Sequence, residues 1–223
     1  MKPPKIAASI ICANFVELGQ EIELLNQSNC EMIHFDVMDG SFVPRFGLHP
    51  EILNSIKKLT KCEIDVHLMV DNPEPYCNIF SDAGADYIVV HQETCKHLHR
   101  TLSRIKSLGK KAGVALNPST SIATIEEVLD LVDLVTLMAI NPGIVGHKLI
   151  PSSIAKIANA KHWLESKNCH AQIQIDGGVT FDSAIDMVKS GADILVCGSS
   201  TIYRPNITSD IQIQSLREAF LRI

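Results

Sequence analysis

The sequence predicts an α/β protein, a closed (β/α)8 barrel, on three observations. Short apolar, β-branched runs alternate with longer segments of helical period. About eight such pairs can be counted. They fill 223 residues with no low-complexity tract and no linker. Strands that alternate with helices imply a parallel sheet, and this many units in this length suit closure, with an open doubly wound sheet as the structural alternative. The strands are expected at residues 6–11, 32–38, 63–69, 87–91, 112–116, 134–140, 171–175 and 194–197. Helical patterns fall at 14–27, 50–58, 73–83, 97–108, 122–131, 152–166, 181–189 and 211–221. Ala83-Gly84-Ala85-Asp86 and Ser190-Gly191-Ala192-Asp193 each close a helical stretch just before a strand. Glycine tolerates the left-handed conformation that follows a helix, so both fix the register of elements.

Composition sets the remaining bounds. With 46% hydrophobic residues the chain can bury one sizeable core, and residues 1–223 are expected to form a single barrel domain. A charged fraction of 20%, a formal net charge of −5 and a pI near 6.0 give no reason to expect nucleic acid or an anionic membrane as partner. They leave room for a phosphorylated small molecule at a locally positive site. The seven cysteines are odd in number, widely spaced and lack a CxxC motif. Reduced thiols are therefore expected rather than a disulfide framework or a cysteine zinc cluster. The apolar run at residues 6–11 is too short for a signal-peptide core, and no stretch reaches membrane-spanning length, so the expected setting is cytoplasmic.

In such a barrel, chemistry sits at the carboxy-terminal ends of the strands. The second strand ends His34-Phe35-Asp36-Val37-Met38. Side chains alternate along a strand, so His34, Asp36 and Met38 share the inward face while Ile33, Phe35 and Val37 pack against helices. By the same rule Asp65, His67 and Met69 share a face of the third strand, and Asp176 ends the seventh beside Gln172 and Gln174. Two imidazoles and two carboxylates thus converge on one end of the barrel. Such a mixed donor set suits zinc, ferrous iron, manganese or cobalt, although a lone strand histidine is more often a satisfied or surface residue. A divalent ion there would polarise a hydroxyketone, and carboxylates on either side could remove and return a proton. The methionines suit a deformable apolar lining, or simply barrel filling. Glycine-bearing loops follow the last three strands: Asn141-Pro142-Gly143-Ile144-Val145-Gly146, Asp176-Gly177-Gly178 and Cys197-Gly198-Ser199-Ser200. Their amides could cradle a phosphate, as the last loops of barrels commonly do. His91, His97, His99 and His147 carry no assigned role, and most of them are expected at the surface or in loops.

These segments resemble the ribulose-phosphate 3-epimerase family. The likeness runs from about residue 6 to residue 202 and rests on Ala8-Ser9-Ile10, His34 through Pro44, Asp65 through Val70, Gly113 through Pro118, Asn141-Pro142-Gly143, Ile175 through Val179 and Cys197-Gly198-Ser199. The resemblance implies a TIM barrel of the ribulose-phosphate-binding type that interconverts D-ribulose 5-phosphate and D-xylulose 5-phosphate in the pentose phosphate pathway. It implies one divalent metal ion per subunit (Zn, Fe(II), Mn or Co) held by His34, Asp36, His67 and Asp176. Asp36 and Asp176 would be the two acid/base residues. Ser9 and His67 would contact the substrate, Met38, Met69 and Met138 would line the site, and Gly143, Ile144, Val145, Gly146, Gly177, Gly178, Gly198 and Ser199 would hold the phosphate end. It also implies a homo-oligomer.

One segment departs from the family pattern. Where the family reads Asn-Pro-Gly-Phe-Gly-Gly-Gln, this chain reads Asn141-Pro142-Gly143-Ile144-Val145-Gly146-His147. A β-branched residue disfavours positive φ, so Val145 bears on how this loop closes over the sugar. The departure concerns the substrate more than the chemistry. A 3-epimerase of another ketulose phosphate, such as D-allulose 6-phosphate, is the nearest alternative, and a non-catalytic phosphosugar-binding protein is another. A phosphosugar lyase or decarboxylase would need a lysine near the reacting carbon, and the expected strand ends offer none.

Overall fold

Strands that are apolar on both faces need parallel partners and a covering of helices. The computed structural model, which describes residues 3–144, 146 and 148–221, has that arrangement. Eight strands, β1 (Lys5–Ser9), β2 (Met32–Met38), β3 (Glu63–Met69), β4 (Tyr87–His91), β5 (Lys111–Leu116), β6 (Leu134–Met138), β7 (Gln172–Asp176) and β8 (Ile194–Cys197), close in sequential order into a barrel. Around it lie α1 (Leu18–Gln27), α2 (Pro50–Lys57), α3 (Tyr76–Ala83), α4 (Leu98–Ser107), a 3-10 stretch at Ile122–Leu131, α5 (Ser153–Ser166), α6 (Phe181–Lys189) and α7 (Ser209–Phe220). The architecture is the (β/α)8 barrel that the alternation of patterns predicts.

Period-two burial fixes the register. Ile33, Phe35 and Val37 of β2 and Ile64, Val66 and Leu68 of β3 pack outward against the helices. Met32, Tyr87, Val89, Ala115, Leu134 and Ile194 fill the barrel interior. Each large side chain buried this way is worth roughly 1.5–3 kcal/mol, and a one-residue slip would turn every one of them to the wrong face. The inward direction of His34, Asp36 and His67 is therefore enforced by their apolar neighbours.

The amino-terminal end of the barrel carries a motif repeated four times. Glu31, Asp86, Asp133 and Asp193 stand just before the even-numbered strands, and each carboxylate accepts the amide of a residue in the preceding odd-numbered strand. The amides are Ile6 (3.1 Å), Ile64 (2.8 Å), Ala112 (2.7 Å) and Ile173 (2.8 Å). The main-chain carbonyl of each acid accepts the first amide of the next odd-numbered strand: Glu63, Lys111, Gln172 and Lys5. A basic side chain from a helix pairs with each acid: Arg217 at 2.9 Å, Lys57 at 2.6 Å, Lys106 at 2.7 Å and Lys161 at 3.9 Å. One acid thus links two strands and a helix, so closure does not rely on apolar packing alone.

Several elements differ from the sequence expectation. Residues 122–131 form 3-10 rather than α-helix, because Ile122, Ile125, Val128 and Leu131 recur every third position, which matches three residues per turn. Residues 10–12 leave the first strand as a short 3-10 turn, and α1 begins at Leu18, preceded by a turn that Asn14 caps by accepting the Val16 amide. The expected glycine caps are present: Gly84 has φ 114° and donates to Phe80 and Ser81.

Candidate active site

The β2–β3 register decides which groups meet. His34 lies opposite Asp65, Asp36 opposite His67 and Met38 opposite Met69. Asp176, at the end of β7, reaches the same point. Donor atoms of His34, Asp36, His67 and Asp176 all lie within 4.8 Å of one another. His34 Nε2 is 3.3 Å from Asp36 Oδ1 and 3.9 Å from Asp176 Oδ2. His67 Nδ1 is 3.8 Å and 3.6 Å from the same two oxygens. Both imidazoles are fully buried, and neither facing nitrogen has a hydrogen-bond partner. A buried polar atom left unpaired costs about 1–3 kcal/mol. Two such atoms aimed at two carboxylates make a site that a divalent cation fits.

The far side of each ring is held. His34 Nδ1 sits 2.6 Å from Asp65 Oδ2. That oxygen also accepts from Gln174 Nε2 at 2.8 Å, and Gln174 accepts from the Thr136 hydroxyl at 2.7 Å. His67 Nε2 sits 2.9 Å from His91 Nε2, and His91 Nδ1 sits 3.1 Å from Glu93 Oε2. The Ser9 hydroxyl donates to Asp36 at 2.8 Å.

Electrostatics follow from this crowding. Burial opposes charge on His34, but the Asp65 and Asp36 carboxylates overcome it and raise the ring well above its usual range. Burial also opposes an ionised Asp36, yet the His34 and His67 rings hold its carboxyl far below the usual carboxylate range. Burial pushes Asp176 the other way, upward, with the Asp36 charge adding to it against the two imidazoles. The two carboxylates therefore differ in their readiness to carry a proton.

Above this cluster opens a cavity of about 630 Å³. Ser9, Asp36, Asp176, Met38, Met69 and Met138 line it, as do Gly143, Ile144, Gly146, Gly177, Gly178, Gly198 and Ser199. His34 and His67 lie beneath that surface, so His67 faces the carboxylates rather than the cavity. Met38 and Met69 pack with Val43 into a small apolar wall. Gly177 and Gly178 have φ of 94° and 66°, and a Cβ on Gly177 would stand 2.3 Å from Ile140 Cγ1. Among the described residues their amides make no backbone hydrogen bond, as an anion cradle requires. Val145 and His147 lie outside the described residues.

His91 is an exception to the surface or loop placement expected of most of the unassigned histidines. It ends β4, fully buried, with burial lowering its pKa to about 4 against the pull of Glu93. The same alternation that placed His67 inward could have found it, since Tyr87, Val89 and His91 share a face. His97 and His99 are exposed, as expected. The Asp65 role was likewise open to reading once the cross-strand partner of His34 was known. Glu93 was beyond reach, because it stands after the strand and its direction depends on the following loop.

The comparisons with known proteins agree with this geometry. The family model for "Ribulose-phosphate 3 epimerase family" matches residues 5–203. The ribulose-phosphate 3-epimerase of Bacillus subtilis is 44% identical over 197 residues, covering 88% of this chain and 91% of that protein. The chloroplastic ribulose-5-phosphate-3-epimerase of Arabidopsis thaliana is 43% identical over 197 residues, 87% of this chain and 70% of its own length. Among solved structures, KGPDC from Streptococcus mutans superposes with a TM-score of 0.74 over 100% of this chain and 99% of its own at 10% identity, a likeness of fold alone. By family model and by relatives over most of its length, the chain belongs to the ribulose-phosphate 3-epimerase family.

Proposed function

We propose that this protein is a metal-dependent 3-epimerase of a ketose phosphate, with D-ribulose 5-phosphate and D-xylulose 5-phosphate as its substrate pair. The observation that carries the reading is the meeting of Asp36 and Asp176, from strands far apart around the barrel, with two unpartnered imidazole nitrogens beneath a cavity. His34, Asp36, His67 and Asp176 would hold one divalent ion of the zinc, ferrous iron, manganese or cobalt type. Bound there, it would supply Lewis-acid stabilisation for negative charge on the two adjacent oxygens of an enediolate.

The rest is the work of the chain. One carboxylate, Asp36 or Asp176 according to the direction of reaction, takes the proton from C3. The C–H electron pair becomes the C2–C3 double bond of a 2,3-enediolate, and charge moves onto O2. The other carboxylate returns a proton to the opposite face of C3, and the carbonyl re-forms. The two acids finish with exchanged protonation states and reset through solvent. Ser9, bonded to Asp36, orients that carboxylate. Met38, Met69 and Met138 keep water from the enediolate, and the glycine loops at Gly143–Gly146, Gly177–Gly178 and Gly198–Ser199 hold the phosphate. The same reading places a homo-oligomer in the cytoplasm, supported by seven free cysteines for the compartment and by family membership for the assembly.

A six-carbon ketose phosphate is the second reading. The cavity runs past Gly178 to Asp182 and Asp186, which leaves room for a longer chain. Turnover of both substrates in heavy water tests the proposal. Interconversion with one solvent deuteron at C3 is expected, faster for the pentulose. Retention of the C3 proton in both sugars would overturn epimerase function, and a large preference for D-allulose 6-phosphate would replace the substrate.

A further inference from the structure

The second imidazole of the metal cluster is backed by a chain of groups whose hydrogen-bond polarity is set at its far end. Glu93 Oε1 accepts from the Asn117 amide at 2.8 Å and from the Thr120 hydroxyl. Its other oxygen meets His91 Nδ1 at 3.1 Å. His91 Nε2 meets His67 Nε2 at 2.9 Å, with the ring centroids 5.0 Å apart and the planes within 21°. Near-coplanar rings at that separation suit an edge-to-edge N–H···N bond. Lys156 Nζ, bonded to the carbonyls of Asn117 at 2.7 Å and Pro118 at 3.2 Å, steadies the loop that presents Asn117. Phe42 lies against the His91 ring, with the centroids 4.8 Å apart.

An ionised carboxylate only accepts, and a neutral imidazole donates from one nitrogen and accepts at the other. Glu93 therefore requires the proton of His91 on Nδ1. His91 Nε2 is then an acceptor, so His67 must carry its proton on Nε2. That leaves the lone pair of His67 on Nδ1, the atom facing Asp36 and Asp176. We propose that Glu93 and His91 are positioning residues that fix the metal-binding tautomer of His67. The inference deepens the four-donor metal reading and rests on it.

The chain of polarity makes a sharp distinction between two conservative changes. In Glu93→Gln the amide oxygen must stay towards the Asn117 N–H, which can only donate. The amide nitrogen then faces His91 and demands an acceptor there. That demand reverses His91 and drives the His67 proton onto Nδ1, where it blocks the cation. In His91→Gln the amide oxygen can accept from His67 while its NH2 group donates to Glu93, so the polarity survives. His91→Leu removes the acceptor altogether.

Cobalt(II) titration of the full-length, chelator-stripped protein tests this, read by d–d absorption and by competition with a chromophoric chelator. Apo-protein melting serves as the fold control. Glu93→Gln and His91→Leu are expected to lower cobalt affinity about 10–100-fold, the usual range for outer partners of a ligating histidine, while His91→Gln stays close to wild type. Wild-type affinity in Glu93→Gln, or equal losses in His91→Gln and His91→Leu, would overturn the relay. If a variant does not fold, nitrogen-15 NMR of the zinc-loaded wild type reads the tautomer directly. A proton on His91 Nδ1 supports the proposal and one on Nε2 refutes it. Wild-type protein that takes up no cobalt would remove the metal reading and the relay with it, a result distinct from binding that Glu93→Gln leaves untouched.

Discussion

At the amino-terminal end of the barrel, Asp86 accepts the Ile64 amide at 2.8 Å and the Lys57 ammonium at 2.6 Å. At the carboxy-terminal end, Asp36 and Asp176 face each other and two imidazole nitrogens that have no hydrogen-bond partner. Both ends gather acidic side chains from strand termini. At the first, each charge meets a cation and an amide, and the result is a closed ring. At the second, negative charge is concentrated with no lysine or arginine ion pair among the described residues, at a cost that the rest of the fold offsets. The same residue type thus pairs with lysine or arginine at one end and joins the candidate metal cluster at the other.

The contrast can be broken most strongly at the mouth. Asp36→Asn and Asp176→Asn are each expected to lower kcat by about 10³-fold, in the range of a lost general acid or base, with little loss of melting temperature. Steady-state epimerisation and thermal melts check this, and a variant that keeps most of its kcat would refute the two-base assignment. His67→Ala should lower metal content by elemental analysis without unfolding the barrel. At the other end the pattern inverts. Asp86→Ala should cost about 2–3 kcal/mol in denaturant unfolding, as for lost hydrogen bonds to a charged group, while kcat holds.

A pH experiment sharpens the boundary between the two ends. Burial disfavours the Glu93 charge, but bonds from His91, Thr120 and Asn117 bring its pKa down to about 2. A carboxylate lowered on folding contributes stability that is complete above its ordinary pKa of 4.5 and is lost as pH falls through about 2. Metal-free Glu93→Gln should therefore lose less stability than wild type over that acid interval, measured by urea unfolding at stepped pH. The smallest effect is expected among the outer cations. Lys57→Ala should cost up to about 1 kcal/mol and Lys161→Ala close to zero, since exposed ion pairs span that range and the Lys161 contact is 3.9 Å against 2.6 Å for Lys57.

How much of this was legible depends on the range of the interaction. Alternation along β2 and β3 placed His34, Asp36 and His67 inward, because a strand of period two with one apolar set has one tolerable register. The Gly-Ala-Asp segments at Gly84 and Gly191 announced helix ends, yet gave no hint that Asp86 and Asp193 would bind the preceding strand. Residues 122–131 read as helix, although the three-residue spacing of their apolar positions was already in view.

Local pattern alone decided the strands, their faces and the donor types, since each follows from neighbours a few positions apart. The pairing of His34 with Asp65, the line from His67 through His91 to Glu93, and the four acid clamps were decided by the closed barrel. Apart from the His91–Glu93 step, they join residues between 20 and 188 positions apart, and only strand register and barrel curvature bring such residues within hydrogen-bond reach.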